Sequence, residues 1–410
     1  MGVLLLKRVN RILPVYAADI SGICSALYEL GGMTVMHDAS GCNSTYTTHD
    51  EPRWYSMDSM VYISALSELE AVMGDDGKLV RDIVDAANNL HPAFICIGGT
   101  PIPMMMGTDF KGIARMIERQ TGIPAFGIAA NGMHSYVQGA GEALKKLAER
   151  FCGPREERGA RDGCIPVNIL GVTPLDFSLT GNIAAMKTFL RERGFSVVSC
   201  WAMESSLEDI KQSGNAEVNL VVSAAGLPAA RALKEIYGTP FVTGTPVGRR
   251  AALRLAALLK EAADSGKDLV LWREEGAFGE DKSGPQTGEI LGLAGLLDSL
   301  EGKRVLLIGE QVIANSLRCS LREDLGAGEV QVICPTEGEA CLAEPGDMLE
   351  WDEDKVTEAM SRSEVVIADP LYRFTCPADG SVTFVEFPHE ACSGRMFHGR
   401  MKPFVWDGKE

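Results

Sequence analysis

The sequence predicts an α/β fold in which three doubly wound parallel-sheet domains surround a central cleft. Short apolar runs rich in β-branched residues recur along the chain, and each ends in small or acidic residues before a helix-like stretch. Continuous apolar runs that alternate with amphipathic helices are typical of parallel strands covered on both faces. The runs that we assign to strands lie at 33–41, 93–100, 124–132, 166–173, 218–226, 304–310, 330–335 and 364–370.

Two polar stretches divide these runs into three groups. Residues 152–165 are rich in Arg, Glu and Gly, and residues 273–288 combine Gly, Pro and charge without apolar periodicity. We therefore predict domains at 1–155, 156–275 and 276–410, the last of which begins with a linker. Ligands of doubly wound sheets bind beyond the carboxyl ends of the strands, so three such domains facing one another would enclose a ligand cleft.

Composition excludes several classes of function. The chain has 410 residues with 39 Lys and Arg against 56 Asp and Glu, and its net charge of −17 does not suit binding to nucleic acid. No stretch approaches the about 20 apolar residues that span a bilayer. At the N-terminus the apolar run precedes the charges, which is the reverse of a secretory signal. We expect a soluble, cytoplasmic protein that binds neither membranes nor nucleic acid.

Three common catalytic motifs are missing from the sequence. There is no GxxxxGK[ST], so the chain is not expected to hydrolyse ATP itself. There is no GxGxxG after a predicted strand, and therefore no support for a dinucleotide site. A GxSxG nucleophile elbow is also absent, which argues against a serine hydrolase.

The cysteines give the first indication of chemistry. The chain has 11 cysteines and no CxxC pair, so we expect most of them to be reduced core residues. Cys24 follows Ser-Gly and is expected to open a helix, whereas Cys42 follows a predicted strand within DASGCN. Thiolates at such positions suit iron–sulfur ligation. The spacing of the two cysteines by itself favours a structural role for both of them over the binding of an iron–sulfur cluster.

Segment 21–54, SGICSALYELGGMTVMHDASGCNSTYTTHDEPRW, resembles nitrogenase component 1 proteins, in which a helix-opening Cys and a Gly-Cys after the next strand hold a cluster. The resemblance continues in this order through 62–74, 95–114, 123–139, 167–201, 218–248 and 301–310. It implies three flavodoxin-like domains and a cluster at a subunit interface. It also implies that electrons arrive from a separate ATP-hydrolysing iron–sulfur reductase.

The sequence departs from this family at positions that matter. The third cluster cysteine of the family falls at Thr100, and Cys96 is four residues away, about 13 Å along an extended strand. The position at which catalytic α subunits hold the cofactor metal with Cys falls at Ser223 or Ala224, and His389 lies near their cofactor-binding His. The resemblance therefore does not imply dinitrogen reduction.

The resemblance also sets expectations for the cluster and the assembly. Cys24 and Cys42 from each of two chains would supply the four ligands of a [4Fe–4S] cluster. We expect a homodimer with a bridging cluster, or a heterodimer whose second component 1 subunit supplies the missing thiolates. His37 and Asp38 precede the Cys42 turn and are alternative non-thiolate ligands, although such a pair more often satisfies backbone groups.

Other polar residues are candidates for the catalytic and cofactor sites. The expected proton donors are Asp38, His134 and His389. The expected cofactor-binding residues are Ser223, Asn131, His389 and Arg395. Tyr136 is expected to line the central cleft, with a capped helix start as its structural alternative. The loop that contains His49, Asp50, Glu51, Arg53 and Trp54 is expected to touch substrate or a partner, or else to be a solvated loop.

These observations lead to one functional hypothesis and its alternatives. The chain is expected to be a nitrogenase-like oxidoreductase subunit that passes electrons through an interface [4Fe–4S] cluster to an unidentified substrate. The first alternative is a non-catalytic scaffold or carrier for a metallocluster or tetrapyrrole precursor. The second is a chelatase or plain binding protein without a cluster.

Overall fold

A computed structural model describes residues 11–39, 41, 46, 51–155, 163–273, 300–349 and 352–409. Three residues named above, Cys42, His49 and Asp50, lie outside the described residues. Among the described residues, no helix has both the length and the apolar character needed to cross a bilayer.

The described strands form three sheets, and every pair of neighbouring strands is parallel. The first sheet contains β1 (Met33–Met36), β2 (Met60–Ile63), β3 (Ile95–Gly98) and β4 (Ala125–Ile128). The second contains β5 (Ile165–Leu170), β6 (Phe195–Cys200), β7 (Val218–Val221), β8 (Phe241–Thr243) and β9 (Leu269–Val270). The third contains β10 (Arg304–Ile308), β11 (Glu329–Ile333), β12 (Val365–Ala368) and β13 (Thr383–Glu386). We call each sheet with its helices a unit. The prediction of a three-sheet α/β fold is confirmed.

Helices precede or connect most of the described strands in each unit. The helices of the first unit are α1 (Asp19–Leu27), α2 (Glu68–Met73), α3 (Gly77–Leu90), α4 (Pro101–Met106), α5 (Phe110–Thr121) and α6 (Tyr136–Phe151). Those of the second are α7 (Pro174–Phe177), α8 (Asn182–Glu192), α9 (Leu207–Lys211), α10 (Leu227–Tyr237) and α11 (Arg249–Ser265). Those of the third are α12 (Gln311–Leu325), α13 (Glu353–Arg362) and α14 (Glu390–Phe397).

The three sheets share one strand order, in which the second strand lies outside the first and the third lies on its other side. The orders are β2-β1-β3-β4, β6-β5-β7-β8-β9 and β11-β10-β12-β13. In such a sheet the connections reverse direction between the first and third strands, which opens a crevice at their carboxyl ends. The residues that directly follow these carboxyl ends are therefore the first candidates for a functional site.

Close packing of α1 on α6 sets the geometry of the first unit. A Cβ atom added to Gly22 would overlap with the carbonyl oxygen of Tyr136, and one added to Gly139 would overlap with the backbone of Asp19. Only glycine at these two positions allows so close an approach. Because Tyr136 is the first residue of α6, this contact also fixes the place where the helix begins.

Both ends of the described chain cross between units. The backbone N–H groups of Ile12 and Leu13 donate to Oε2 of Glu353, at 2.8 and 3.2 Å, so the N-terminal segment is held at the start of α13 in the third unit. At the other end, the backbone N–H of Phe404 donates to Oδ1 of Asn182 over 2.9 Å, which holds the C-terminal tail on the second unit. The units are thus joined by chain crossings as well as by side-chain contacts.

Candidate functional site at the junction of the three units

Three polar side chains, one from each unit, meet where the units come together. Tyr136 begins α6 after β4, Asp176 lies in α7 after β5, and His389 precedes α14 after β13. The Tyr136 hydroxyl donates a hydrogen bond to Oδ1 of Asp176, and Nε2 of His389 lies 3.4 Å from both of these oxygen atoms. All three residues are buried. Burial, and next the charge of Asp176, raises the pKa of Tyr136 well above its ordinary value, so its hydroxyl keeps its proton.

A buried carboxyl group of the third unit lies within electrostatic range of Asp176 and Tyr136. Glu310 follows β10 and accepts hydrogen bonds from the backbone N–H groups of Ala224 at 2.8 Å and Ile313 at 2.9 Å. Burial, and next the charge of Asp176, raises the pKa of Glu310 to about 7. A carboxyl group with this pKa can take up and release a proton near neutral pH. We call Tyr136, Asp176, Glu310 and His389 the junction cluster.

The orientation of His389 is fixed by its backbone. Its N–H donates to Oδ2 of Asp369 over 2.9 Å, and the hydroxyl of Ser393 donates to the same oxygen. Nε2 faces Asp176, whereas the buried Nδ1 has no hydrogen-bond partner among the described residues. With the proton on Nε2, the lone pair of Nδ1 is available to a ligand or to a proton.

The predicted site residue His134 lies in a contact between the first and third units. Its Nδ1 is 3.5 Å from Oε1 of Glu337, and the backbone N–H of Ser135 donates to that oxygen over 2.9 Å. The His134 side chain is partly exposed. The structure therefore gives His134 a role in joining two units and does not bring it into hydrogen-bond contact with the junction cluster.

The expected cluster ligand Cys24 lies inside a helix of the first unit. It does not open that helix, because α1 begins five residues earlier at Asp19, and its side chain is completely buried in the core. Burial, followed by the neighbouring Cys96 and Glu51, raises the pKa of the Cys24 thiol well above its ordinary value. A bound metal deprotonates the thiol that coordinates it, so Cys24 stays a candidate cluster ligand. Across the part of the chain that the structure describes, no three His, Cys, Asp or Glu side chains are grouped to hold a metal ion.

The loop before β2 is held by a buried ion pair. Nε of Arg53 lies 2.7 Å from Oε1 of Glu51, and Nη1 lies 2.8 Å from Oε1 of Glu29. Nη1 also donates to the carbonyl oxygen of Ala202 in the second unit over 3.0 Å. Burial by itself lowers the pKa of Arg53, but the two carboxylates raise it above its ordinary value. Glu51 and Arg53 are therefore not part of a solvated loop, because they are buried and paired within the chain, and Trp54 packs against the core.

Thr100 and Ser223 play the same structural part in two units. Each follows the third strand of its sheet, and each hydroxyl donates to a carbonyl oxygen of the chain leaving the first strand. The acceptor of Thr100 is His37 at 2.8 Å, and that of Ser223 is Gly171 at 2.7 Å. Both hydroxyls are buried. They join the first and third strands of the sheet at their carboxyl ends and do not face an open cleft.

The other predicted site residues lie apart from the junction cluster. Asp38 is buried beside β2, where its backbone N–H donates to Oγ of Ser64 over 3.1 Å. Asn131 shapes the turn after β4, since its Oδ1 accepts from the N–H of Met133 over 2.9 Å. Arg395 lies on the exposed side of α14. The predicted cofactor set of Ser223, Asn131, His389 and Arg395 is therefore not assembled by any described hydrogen bond.

Sequence reasoning missed Asp176 and Glu310, although each leaves a signal. Glu310 ends the run RVLLIGE and Asp176 lies in TPLDF, so both are acidic residues just beyond a buried strand. Acidic side chains that end strands of this kind point toward the ligand edge of the sheet. Their meeting with Tyr136 and His389 could not be read from spacing, because the four residues come from three units.

Comparison with known proteins identifies a family that matches this chain. The model for nitrogenase component 1 type oxidoreductases matches residues 30–368. The nitrogenase iron-molybdenum cofactor biosynthesis protein NifE of Klebsiella pneumoniae is 26% identical over 299 residues, which cover 66% of this chain and 62% of that protein. The nitrogenase molybdenum-iron protein alpha chain of Methanosarcina barkeri is 23% identical over 224 residues, which cover 53% of this chain and 41% of that one. These matches span less than two thirds of either relative.

The structural comparison agrees with the sequence match. A structure of nitrogenase Cp1 at pH 6.5 superposes with a TM-score of 0.66 at 19% identity, covering 94% of this chain and 88% of that one. At this identity the likeness shows the fold alone. With the family model matching most of its length, the chain belongs to the nitrogenase component 1 type oxidoreductases.

Proposed function

We propose that the chain is a subunit of a nitrogenase-like oxidoreductase that reduces a substrate other than dinitrogen. Its electrons would come from a separate ATP-dependent iron–sulfur reductase, as the resemblance implies. The observation that carries the proposal is the junction cluster, in which Tyr136, Asp176 and His389 meet away from water and Glu310 lies within electrostatic range of Asp176. Reductions consume protons with electrons, and a buried group of protonatable side chains can supply them.

The roles in this cluster follow from its contacts. Glu310 is the proton store, because its pKa of about 7 lets it exchange a proton near neutral pH. His389 is the proton relay, because its Nδ1 has no hydrogen-bond partner among the described residues and can take up a proton before passing it on. Asp176 accepts the Tyr136 hydroxyl and faces Nε2 of His389, so it orients both groups.

The proposed cluster lies at a subunit interface and uses two thiolates of this chain, Cys24 and Cys42. Two such chains would supply 2 × 2 = 4 ligands, the number that a [4Fe–4S] cluster takes. The second component 1 subunit is either another copy of this chain or a different chain that supplies the remaining ligands.

A surface suited to that second subunit lies on the first unit. The helices α2 and α4 pack against each other, and both expose apolar side chains. Val72 and Met105 are 79% and 89% exposed, and Leu69, Met73 and Met104 are also exposed. We call these five side chains the apolar surface. Exposed apolar patches mark interaction sites, and methionines adapt readily to a partner. We propose that a second component 1 subunit covers the apolar surface.

A second candidate function is a non-catalytic scaffold for a metallocluster or tetrapyrrole precursor. It is favoured by the similarity to NifE, which is named as a cofactor biosynthesis protein. The residues Thr100 and Ser223, which stand where the resemblance expects cysteines, favour it as well.

A measurement of electron transfer distinguishes the two candidate functions. Anaerobically purified protein, with any subunit that copurifies, is mixed with a nitrogenase iron protein-like reductase, and its EPR spectrum is recorded. The oxidoreductase proposal predicts a change that requires MgATP and does not occur with MgADP. A metallocluster or tetrapyrrole that stays bound without any MgATP-dependent change would contradict it and favour the scaffold.

A further inference from the structure

A cavity of about 560 Å³ lies between the second and third units, on the outer side of α7. Small organic ligands bind in clefts of about 300–1,000 Å³. The cavity is bordered by α7 and the residues after it, by β13, and by the chain that follows α14. It lies next to the junction cluster, with which it shares Asp176.

The inner wall of this cavity is aromatic. Phe177 and Phe404 stack with their ring centroids 5.6 Å apart, and Phe387 meets Phe404 edge to face at 5.4 Å. Phe177 and Phe404 are buried, whereas Phe384 and Phe387 are partly open. Rings held in this way offer flat apolar faces to a ligand of similar shape.

The mouth of the cavity carries an excess of positive charge. The side chains of Arg373 and Arg400 are 53% and 63% exposed, and both are paired with Glu386, at 3.0 and 3.4 Å. Lys402 is exposed at the same mouth. Three cations thus face one carboxylate, a local charge of 3 − 1 = +2, in a chain whose net charge is −17.

Two further carboxylates border the cavity, so its whole lining holds three cations and three carboxylates, although only Glu386 lies among the exposed cations of the mouth. The side chains of Asp176 and Glu390 are 0% and 4% exposed. Asp176 is bonded by Tyr136 and by Thr173, and Glu390 by Ser178 at 2.6 Å and by His398 at 3.1 Å. Because they are covered and already hydrogen-bonded, a ligand in the cavity meets the rings and the exposed cations.

The geometry points to a binding site for a flat, apolar organic anion, whose rings lie against Phe384 and Phe387 and whose acidic group lies between Arg400 and Lys402. Arg373 lies 4.7 Å from the ring centroid of Phe384, so it is held beside Glu386 and balances that carboxylate. Arg400 and Lys402 are then the two cations left to meet the anion. This inference does not depend on the proposed function, since binding requires neither electrons nor a metal cluster.

The test uses two matched probes. One is 1-anilinonaphthalene-8-sulfonate, and the other is N-phenyl-1-naphthylamine, which has the same rings without the acidic group. Their affinities for the full chain are measured by fluorescence titration. Arg400→Gln and Lys402→Gln should each weaken the sulfonate about three- to fivefold, as expected for one exposed charge pair, and leave the neutral probe unchanged. The control Lys267→Gln, an exposed lysine of the second unit, should change neither.

A third variant shows whether the probes occupy this cavity. Gly399 borders it, and an added Cβ there would meet no atom within 4 Å, so Gly399→Trp can place a ring in the opening without disturbing the fold. Both probes should then bind more than about tenfold more weakly, because the ring occupies their site. Unchanged binding of both probes to Gly399→Trp would overturn the inference. So would an affinity for the sulfonate that is the same in Arg400→Gln, Lys402→Gln and the native chain.

Discussion

The Glu310 carboxyl group combines complete burial, three backbone donors and the nearby charge of Asp176. Its pKa in the folded protein is about 7, against the ordinary 4.5. A raised pKa adds stability that is complete below about pH 4.5 and is lost as the pH rises through about 7. The shift corresponds to about 3 kcal/mol.

Glu310→Gln removes this titration and should remove its pH dependence. Between pH 4 and pH 8 the native chain should lose about 3 kcal/mol of apparent unfolding free energy relative to the variant, measured by urea denaturation at each pH. The control is Glu358→Gln, which changes an exposed carboxyl group. Parallel pH curves for the native chain and Glu310→Gln would show that the carboxyl group titrates normally.

A second prediction concerns the buried charge of Arg53. Arg53→Met leaves the Glu51 carboxylate buried without its cation, and removing one partner of a buried pair costs about 3–5 kcal/mol. The matched control is Arg362→Met, whose arginine is 75% exposed and should contribute less than about 1 kcal/mol. The two are compared by urea denaturation. Equal losses would mean that the Arg53 pair does not hold its loop.

At the scale of elements, the contact between α1 and α6 depends on glycine. Gly139→Ala would push the added Cβ into the backbone of Asp19, and overpacking of this kind costs about 1–3 kcal/mol. We expect the thermal midpoint to fall by several degrees. Gly399→Ala is the control, because its Cβ would meet no atom within 4 Å. Equal thermal midpoints of Gly139→Ala and the control would show that the two helices do not approach each other this closely.

The sequence predicts the inner strands better than the edges. All eight runs assigned to strands coincide with strands, but β2, β6, β8, β9 and β13 were not among them. Four of these five lie at sheet edges, and the exception, β8, has only three residues. The residues of β2, β6 and β13 are a mixture of buried and exposed, so they do not form the continuous apolar run that marks a central strand.

At the scale of the whole molecule, the site was predictable only in part. His389 and Tyr136 were named from the sequence, because the resemblance and a helix start drew attention to them. Their partners Asp176 and Glu310 belong to other units, and no spacing rule links residues across separate sheets. The expectation that Cys24 opens a helix was wrong, because α1 starts at Asp19 and the thiol is buried inside the helix. Its role as a cluster ligand stays a prediction.

The proposed subunit interface makes a prediction at this scale. Met105→Asp places a charge on the apolar surface and should weaken association with the second subunit at least tenfold, because that charge would be buried without a partner. Phe374→Asp is a matched control, since Phe374 is 77% exposed on the third unit. Association is followed by analytical ultracentrifugation. Equal behaviour of the two variants would place the interface elsewhere.

The central claim is that this chain belongs to an electron-transferring assembly, and iron content tests it most directly. Iron and acid-labile sulfide are measured on anaerobically purified protein, with the EPR spectrum after dithionite, for the native chain and for Cys42→Ala and Cys24→Ala. The account predicts iron and a reduced-cluster signal that are lost in both Cys42→Ala and Cys24→Ala. Native protein that has never met oxygen and still holds no iron would contradict it.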